Sequence, residues 1–153
     1  MSIFYLDTSA LVKRYVAEPG SAWLESFVMS PANLLFLSEI GVAETAAAFA
    51  RYARTGQINS DMQAKLYASF LDDCKIRLML IPVSSLMIIT AANLTQKHPL
   101  RGYAAVHLAC ALNLNQQLKG EGLQPLRFLS ADTILLKAAA AEGLQTENPS
   151  NYL

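Results

Sequence analysis

Ile3-Phe4-Tyr5-Leu6-Asp7-Thr8-Ser9 is the stretch that decides the fold. The apolar and aromatic run from Ile3 to Leu6 predicts a buried strand. It stops on a carboxylate, and two hydroxyl residues follow at once. Ala10 to Val16 then carry helical spacing, so Thr8 or Ser9 is expected to cap a helix there. Asp7 is thereby placed at the carboxyl end of a strand, beside a helix N-terminus. Ligands bind along that edge in open α/β sheets. A charged group there is costly to desolvate unless something compensates it. The plainer alternative is that Asp7 is itself a cap or turn residue, a position that Asp favours.

Working outward, Glu18-Pro19-Gly20-Ser21 breaks the first helix, and Ser21 is expected to cap a second one carrying Trp23, Leu24, Phe27 and Val28. Leu34 to Leu37 reads as a second short strand, ended by Ser38-Glu39. A long helix follows to about Thr55, closed by Gly56, with Glu44 near its start. Asn59 or Ser60 caps the next helix. Arg77 to Val83 is a third strand ended near Pro82, and Ser84 or Ser85 opens a helix to about Gln96. After a loop from Lys97 to Gly102, Tyr103 to Leu118 forms an Ala- and Leu-rich helix. Leu126 to Ser130 is a fourth strand, followed by Asp132. Thr133 to Ala141 is a helix stopped by Gly143, and Leu144 to Asn148 adds an edge strand. Strands alternating with helices predict an α/β fold: a mainly parallel central sheet with helices on both faces.

The chain of 153 residues is expected to be one domain, residues 1–153, with a sizeable core. It is 53% hydrophobic and only 16% charged, apolar for a domain of this size. Yet no apolar run reaches the ~18 residues that span a bilayer, and no secretory signal opens the chain. The excess points to a surface covered by a partner, including a second copy of the chain. Net charge is zero, from 12 basic and 12 acidic residues, so any polyanion site must be a local patch. Cys74 and Cys110 lie singly in helical stretches, which suggests reduced, buried thiols in a cytoplasmic protein.

Right-handed crossovers bring the carboxyl ends of the parallel strands to one edge. Asp7 and Asp132 each follow a strand, and Glu44 sits one to two turns into a helix that follows another. Three acids from distant parts of the chain can therefore meet there. Clustered carboxylates repel, and a divalent cation between them removes the conflict. Hard oxygen donors without cysteine or paired histidine point to Mg2+ or Mn2+ rather than zinc. Such ions activate water and hold phosphoryl oxygens. Each acid also has a structural reading: Asp132 as a helix cap, and Glu44 as a favourable charge near a helix N-terminus.

These residues carry a resemblance. Tyr5-Leu6-Asp7-Thr8-Ser9-Ala10-Leu11-Val12-Lys13, the Glu44-Thr45-Ala46-Ala47-Ala48 helix start, Leu100-Arg101-Gly102-Tyr103 with Ala105-Val106-His107-Leu108-Ala109, and Phe128-Leu129-Ser130-Ala131-Asp132 run through nearly the whole chain in family order. Together they resemble PIN-domain ribonucleases of the VapC type, the toxins of type II toxin–antitoxin pairs. The resemblance implies a three-layer α/β/α domain and a Mg2+- or Mn2+-dependent endoribonuclease. It also implies a homodimer, a VapB-like antitoxin partner, and RNA such as tRNA or rRNA as substrate. It carries metal-binding and catalytic roles onto Asp7, Glu44 and Asp132, with Thr8 and Ser9 in support.

The family pattern has an acid where this chain has Ala104. Alanine cannot ligate a cation, and no acid occurs between Asp73 and Glu121 to replace it. Weaker metal binding and a lower rate are expected, at ~1.4 kcal/mol per tenfold. Ala104 reads either as a silencing substitution or as a natural departure, and the intact flanking motif weighs towards the first. The competing function is a non-catalytic module that binds RNA or antitoxin. Among basic residues, Arg101, Lys13 and Arg51 are the expected RNA contacts, with Arg14, Arg54 and Lys97 as further candidates. Arg51 lies two turns from Glu44 on the same helix face. His107, one turn after Ala104, is expected in the core or supporting the site rather than as a general base. Tyr5, Phe36, Phe49 and Phe128 read as core. An antitoxin helix is expected in a groove around Leu11 to Val28 and the Glu44 helix.

Overall fold

The computed structural model describes all 153 residues, Met1–Leu153. Its centre is β1, Ile3–Leu6, all four residues of which are buried. β1 lies in the middle of a five-stranded sheet with β2 (Leu34–Ser38), β3 (Leu78–Ile81), β4 (Arg127–Leu129) and β5 (Gln145–Glu147), in the order β3-β2-β1-β4-β5. Every pairing is parallel, with Tyr5 opposite Phe36 on one side and Phe128 on the other. The expected α/β architecture is therefore present, and the sheet is wholly parallel. Strand residues alternate faces. Ile3 and Tyr5 join a core with the helices α5 (Ser85–Lys97), α6 (Gly102–Gly120) and α7 (Thr133–Ala141). Phe4 and Leu6 join a second core with α1 (Thr8–Leu11), the α2 segment (Ser21–Trp23), α3 (Ile40–Arg54) and α4 (Ser60–Ile76). Helices thus cover both faces of the sheet.

Local caps explain most helix starts. Asn59 and Ser84 accept from Met62 N and Met87 N, as their types predict. Two expectations change. Asp7, not Thr8 or Ser9, caps α1, because the Ser9 hydroxyl is drawn into contacts across the sheet edge. Gly20, not Ser21, caps α2: its φ of 93° is left-handed, and a Cβ there would lie 2.1 Å from the Pro149 carbonyl oxygen. α1 continues as a 3-10 turn, Val12–Arg14, and α2 as a π-helical turn, Leu24–Val28. β3 is shorter than predicted, since Pro82 ends its ladder. Gly41 lets α3 pack closely on β2: a Cβ there would meet Leu37 Cδ1 at 2.4 Å. That close approach sets where Glu44 sits.

Both cysteines are free, Cys110 buried and Cys74 half-buried, and burial pushes both thiols up. No helix is long and apolar enough to cross a membrane.

Candidate active site

The carboxyl ends of β1 and β4 are laced together around Asp7. Its backbone N–H donates to the Leu129 carbonyl at 3.1 Å. Asp7 Oδ1 accepts from Ser9 Oγ at 2.7 Å and from Ala10 N at 2.9 Å. Asp7 Oδ2 accepts from Ser130 Oγ at 2.6 Å. Ser9 Oγ in turn accepts from Ala131 N at 2.9 Å, and Ser130 Oγ from Asp132 N at 3.0 Å. Asp132 caps α7 through Oδ1, which accepts from Ile134 N at 2.9 Å and Leu135 N at 3.2 Å. The cap reading and the edge reading are thus both correct for Asp7 and Asp132. A cap residue lies where a strand hands over to a helix, and in a parallel sheet that place is the ligand-binding edge.

Glu44 approaches from α3. Its Oε1 accepts from Thr8 Oγ1 at 2.9 Å and lies 2.6 Å from His107 Nε2. Burial pushes Glu44 up, but the hydrogen bonds from His107 and Thr8 outweigh it and leave the carboxyl below its usual range. Asp7 goes the other way. Burial raises it, and His107, Ser130, Ser9 and the Ala10 N–H only partly offset that. No Lys or Arg forms a salt bridge with Asp7, Glu44 or Asp132.

These groups share a cleft of about 370 Å³. Asp7, Thr8, Ser9, Glu44, Asp132 and His107 line it together with Arg51, so most of the residues singled out in the sequence lie in one place. Ala104 is also in its wall, with Val12, Ala48, Ala131 and Leu135, and offers the cleft no polar group.

Two lining residues were not foreseen. Glu18 and Tyr52 stand in the wall, with Tyr52 OH 3.5 Å from Glu18 Oε2. Glu18 read only as part of a helix break, and nothing in its local pattern separates it from any loop acid.

The basic residues divide. Arg51 reaches the cleft as its helical spacing predicts. Arg101 is exposed just before α6 and does not line the cleft. Lys13 departs from expectation: it is only 5% exposed and its ammonium faces Glu18 at 3.5 Å, so it is not a free phosphate contact. Arg14 is committed to Asp73 and Glu25.

The donor set suits a hard cation. Glu44 Oε2 and Asp132 Oδ2 accept no hydrogen bond from the protein, and the buried Asp7 has no salt-bridge partner. No three His, Cys, Asp or Glu side chains are gathered tightly enough to enclose an ion. The residues therefore fit a water-rich Mg2+-type centre held by one or two carboxylates, not a protein cage.

Comparison with known proteins agrees with this architecture. The PIN domain family model matches residues 4–141. Ribonuclease VapC47 of Mycobacterium tuberculosis (strain CDC 1551 / Oshkosh) is 26% identical over 150 residues, covering 96% of this chain and 97% of that protein. The crystal structure of VapBC2 from Rickettsia felis, bound to a DNA fragment from their promoter, superposes with a TM-score of 0.63 at 16% identity, covering 95% of this chain and 98% of that one. A toxin–antitoxin complex from Klebsiella pneumoniae gives 0.60 at 17% identity, covering 95% and 97%. At such identities the two structures speak for the fold alone. With its family match running from β1 through α7, the chain belongs to the PIN-domain family, and within that family it is VapC-like.

Proposed function

We propose that this chain is the toxin of a toxin–antitoxin pair and that its scaffold is a divalent-metal-dependent endoribonuclease. The observation that carries this reading is one cleft holding Asp7, Glu44 and Asp132, with no Lys or Arg salt-bridged to them. The ribonuclease name of the VapC47 relative supports the reaction class. One or two of Asp7, Glu44 and Asp132 would hold Mg2+ or Mn2+ directly, the remaining acid reaching it through water, and the ion when bound would supply an activated water and charge for phosphoryl oxygens.

The chain's own residues divide the remaining work. Ser9, Ser130 and the Ala10 N–H fix the Asp7 carboxylate. Thr8 holds Glu44. Arg51 stands in the cleft where it can take a phosphate of the RNA, and Arg101 extends that contact outside it. Ala104 contributes neither charge nor hydrogen bond, so cleavage is impaired in this chain. The absence of a three-carboxylate cluster favours a second reading, a PIN module that binds RNA or antitoxin without cutting.

Residues 1–153 act as one domain, in the cytoplasm, as a homodimer with a VapB-like antitoxin. An apolar hollow of about 360 Å³ on α3, lined by Ala46, Phe49 and Tyr67, suits an antitoxin helix, with α4 as its second wall in place of the expected Leu11 to Val28 segment. Ile88 (46% exposed) and Tyr103 (67%) line an apolar hollow between α5 and α6 with Ala92 and Val106, which suits a second copy.

The test is cleavage of a mixed tRNA and rRNA pool, with and without Mg2+ or Mn2+, by this chain and by Ala104→Asp. Metal-dependent cleavage by Ala104→Asp, absent or much slower in the parent, is the expected result. Cleavage by both at equal rates would mean that position 104 does not limit the site. Silence from both folded proteins would leave the binding-module reading.

A further inference from the structure

We propose that Tyr5 and His107 are positioning residues for Glu44: Tyr5 anchors the imidazole and reinforces its tautomer, and the imidazole fixes which carboxylate oxygen of Glu44 is offered to the cleft. The proposal deepens the reading above and rests on Glu44 being a site acid.

Three distant elements carry the chain of contacts. Tyr5 OH, on β1, lies 2.7 Å from His107 Nδ1 on α6. His107 Nε2 lies 2.6 Å from Glu44 Oε1 on α3. An ionised carboxylate can only accept, so Nε2 carries the hydrogen. In the neutral ring Nδ1 is then bare and must accept. The phenol suits that role. A phenol can donate its hydrogen, and His107 Nδ1 is its one hydrogen-bond partner. Burial keeps the phenol protonated, pushing it well above its ordinary value. Tyr5 is held in turn by the ring of Phe128, stacked at 5.5 Å with 7° between planes.

The consequence falls on Glu44. Thr8 and His107 fill both lone pairs of Oε1, so Oε2 is the oxygen left to face a ligand. Both contacts select the Nε2–H tautomer; without the Nδ1 contact only Glu44 still does so, and the fraction of rings bare at Nε2, which repel Oε1, grows. Tyr5 does not line the cleft, so its influence reaches the site only through His107. Groups that orient a metal-binding side chain in this way are worth roughly 10–100-fold in metal affinity.

Two measurements test this. His98 and His107 are the only histidines, so nitrogen-15 imidazole spectra of the chain are assigned with one His98→Gln variant. His107 is expected to show a bare Nδ1 and a protonated Nε2, and Tyr5→Phe is expected to mix the tautomers. The opposite tautomer, or a spectrum that Tyr5→Phe leaves unchanged, would overturn the proposal. The second readout is Mn2+ binding in the Ala104→Asp background. Tyr5→Phe is expected to weaken it by about tenfold with the fold intact. His107→Gln, whose amide keeps a donor for Glu44, is expected to lose less than His107→Leu. Equal Mn2+ affinity in Tyr5→Phe and its parent would overturn the proposal. No Mn2+ binding by the parent itself would instead sink the metal-nuclease reading, and the nitrogen spectrum would still decide the tautomer.

Discussion

Asp7 at the end of β1 and Asp73 on α4 are both buried acids, in very different company. Asp73 accepts from Arg14 Nε at 2.9 Å and from Tyr15 OH at 2.6 Å, and Arg14 continues to Glu25 at 2.7 Å. Its charge is met by a fixed guanidinium, and the cluster ties the segment after α1 to α4. Asp7 is met by two serine hydroxyls and one backbone N–H, all neutral donors. Neutral donors orient a carboxylate but do not cancel its charge, so burial still lifts the Asp7 carboxyl above its usual range. One acid is built to stabilise the fold. The other is held in place at a cost in stability, and that is the expected signature of a group reserved for a ligand.

Substitution of each acid should separate these roles. The largest effect is expected on activity. In the Ala104→Asp background, Asp7→Asn should lower RNA cleavage by at least about a hundredfold, read as initial rates in Mg2+. Retained cleavage would remove Asp7 from the site.

Asp73→Ala should leave the same rate per folded molecule but destabilise the protein. It strands the Arg14 charge and the Tyr15 hydroxyl. Because the pair is only partly buried, the loss should be about 2 kcal/mol, or roughly 5 °C in melting midpoint. An unchanged midpoint would show that the guanidinium finds solvent as readily as it found Asp73.

The reverse sign is expected for the stability of Asp7→Asn. The amide Oδ1 keeps the bonds from Ser9 and Ala10 N, the Ser130 hydroxyl turns to accept from Nδ2, and an unmatched charge is removed, so the midpoint at neutral pH should rise by about 3 °C, near 1 kcal/mol. A fall would mean that the carboxylate is compensated after all.

The smallest effect concerns Glu142, half-buried at the end of α7, which meets Lys97 at 2.8 Å and His98 at 2.6 Å. The hydrogen bonds of Lys97 and His98 hold its carboxyl below the usual value. A lowered carboxyl adds stability above its unfolded pKa and loses it as pH falls through the folded one. Glu142→Gln should therefore be slightly less stable than the parent at pH 7 and equal to it well below pH 4. The difference should be about a degree at most, since Lys97 is 65% exposed and screened by solvent. A gap that persists in acid would point to packing rather than charge.

Much of this molecule was written in local pattern. The apolar run before Asp7, the hydroxyl and acid after each strand, and glycine at the ends of helices suffice to predict alternating strands and helices. Parallel crossovers then suffice to bring Asp7, Glu44 and Asp132 to one edge. Arg51 followed from helical spacing alone, because two turns restore the same face. These inferences worked because period and chain order are properties of the backbone, and the backbone obeys them wherever the side chains go.

Contacts between distant segments were decided only by the tertiary structure. Ser9 looked like a cap, but its hydroxyl serves Asp7 and Ala131 across the sheet edge, so Asp7 caps α1 instead. Lys13 looked like a free cation until packing enclosed it against Glu18. Glu18 itself entered the cleft only because the chain folds back after α1. Tyr5 and His107, 102 residues apart, became one hydrogen-bonded unit, and Glu44 joined it from a third element. The sequence by itself determined the order of elements and the edge at which the acids gather, because those follow from periodicity and handedness. Which acid is paired, which is left charged and which oxygen faces the cleft depended on side chains meeting across the sheet, and only the tertiary structure decides that.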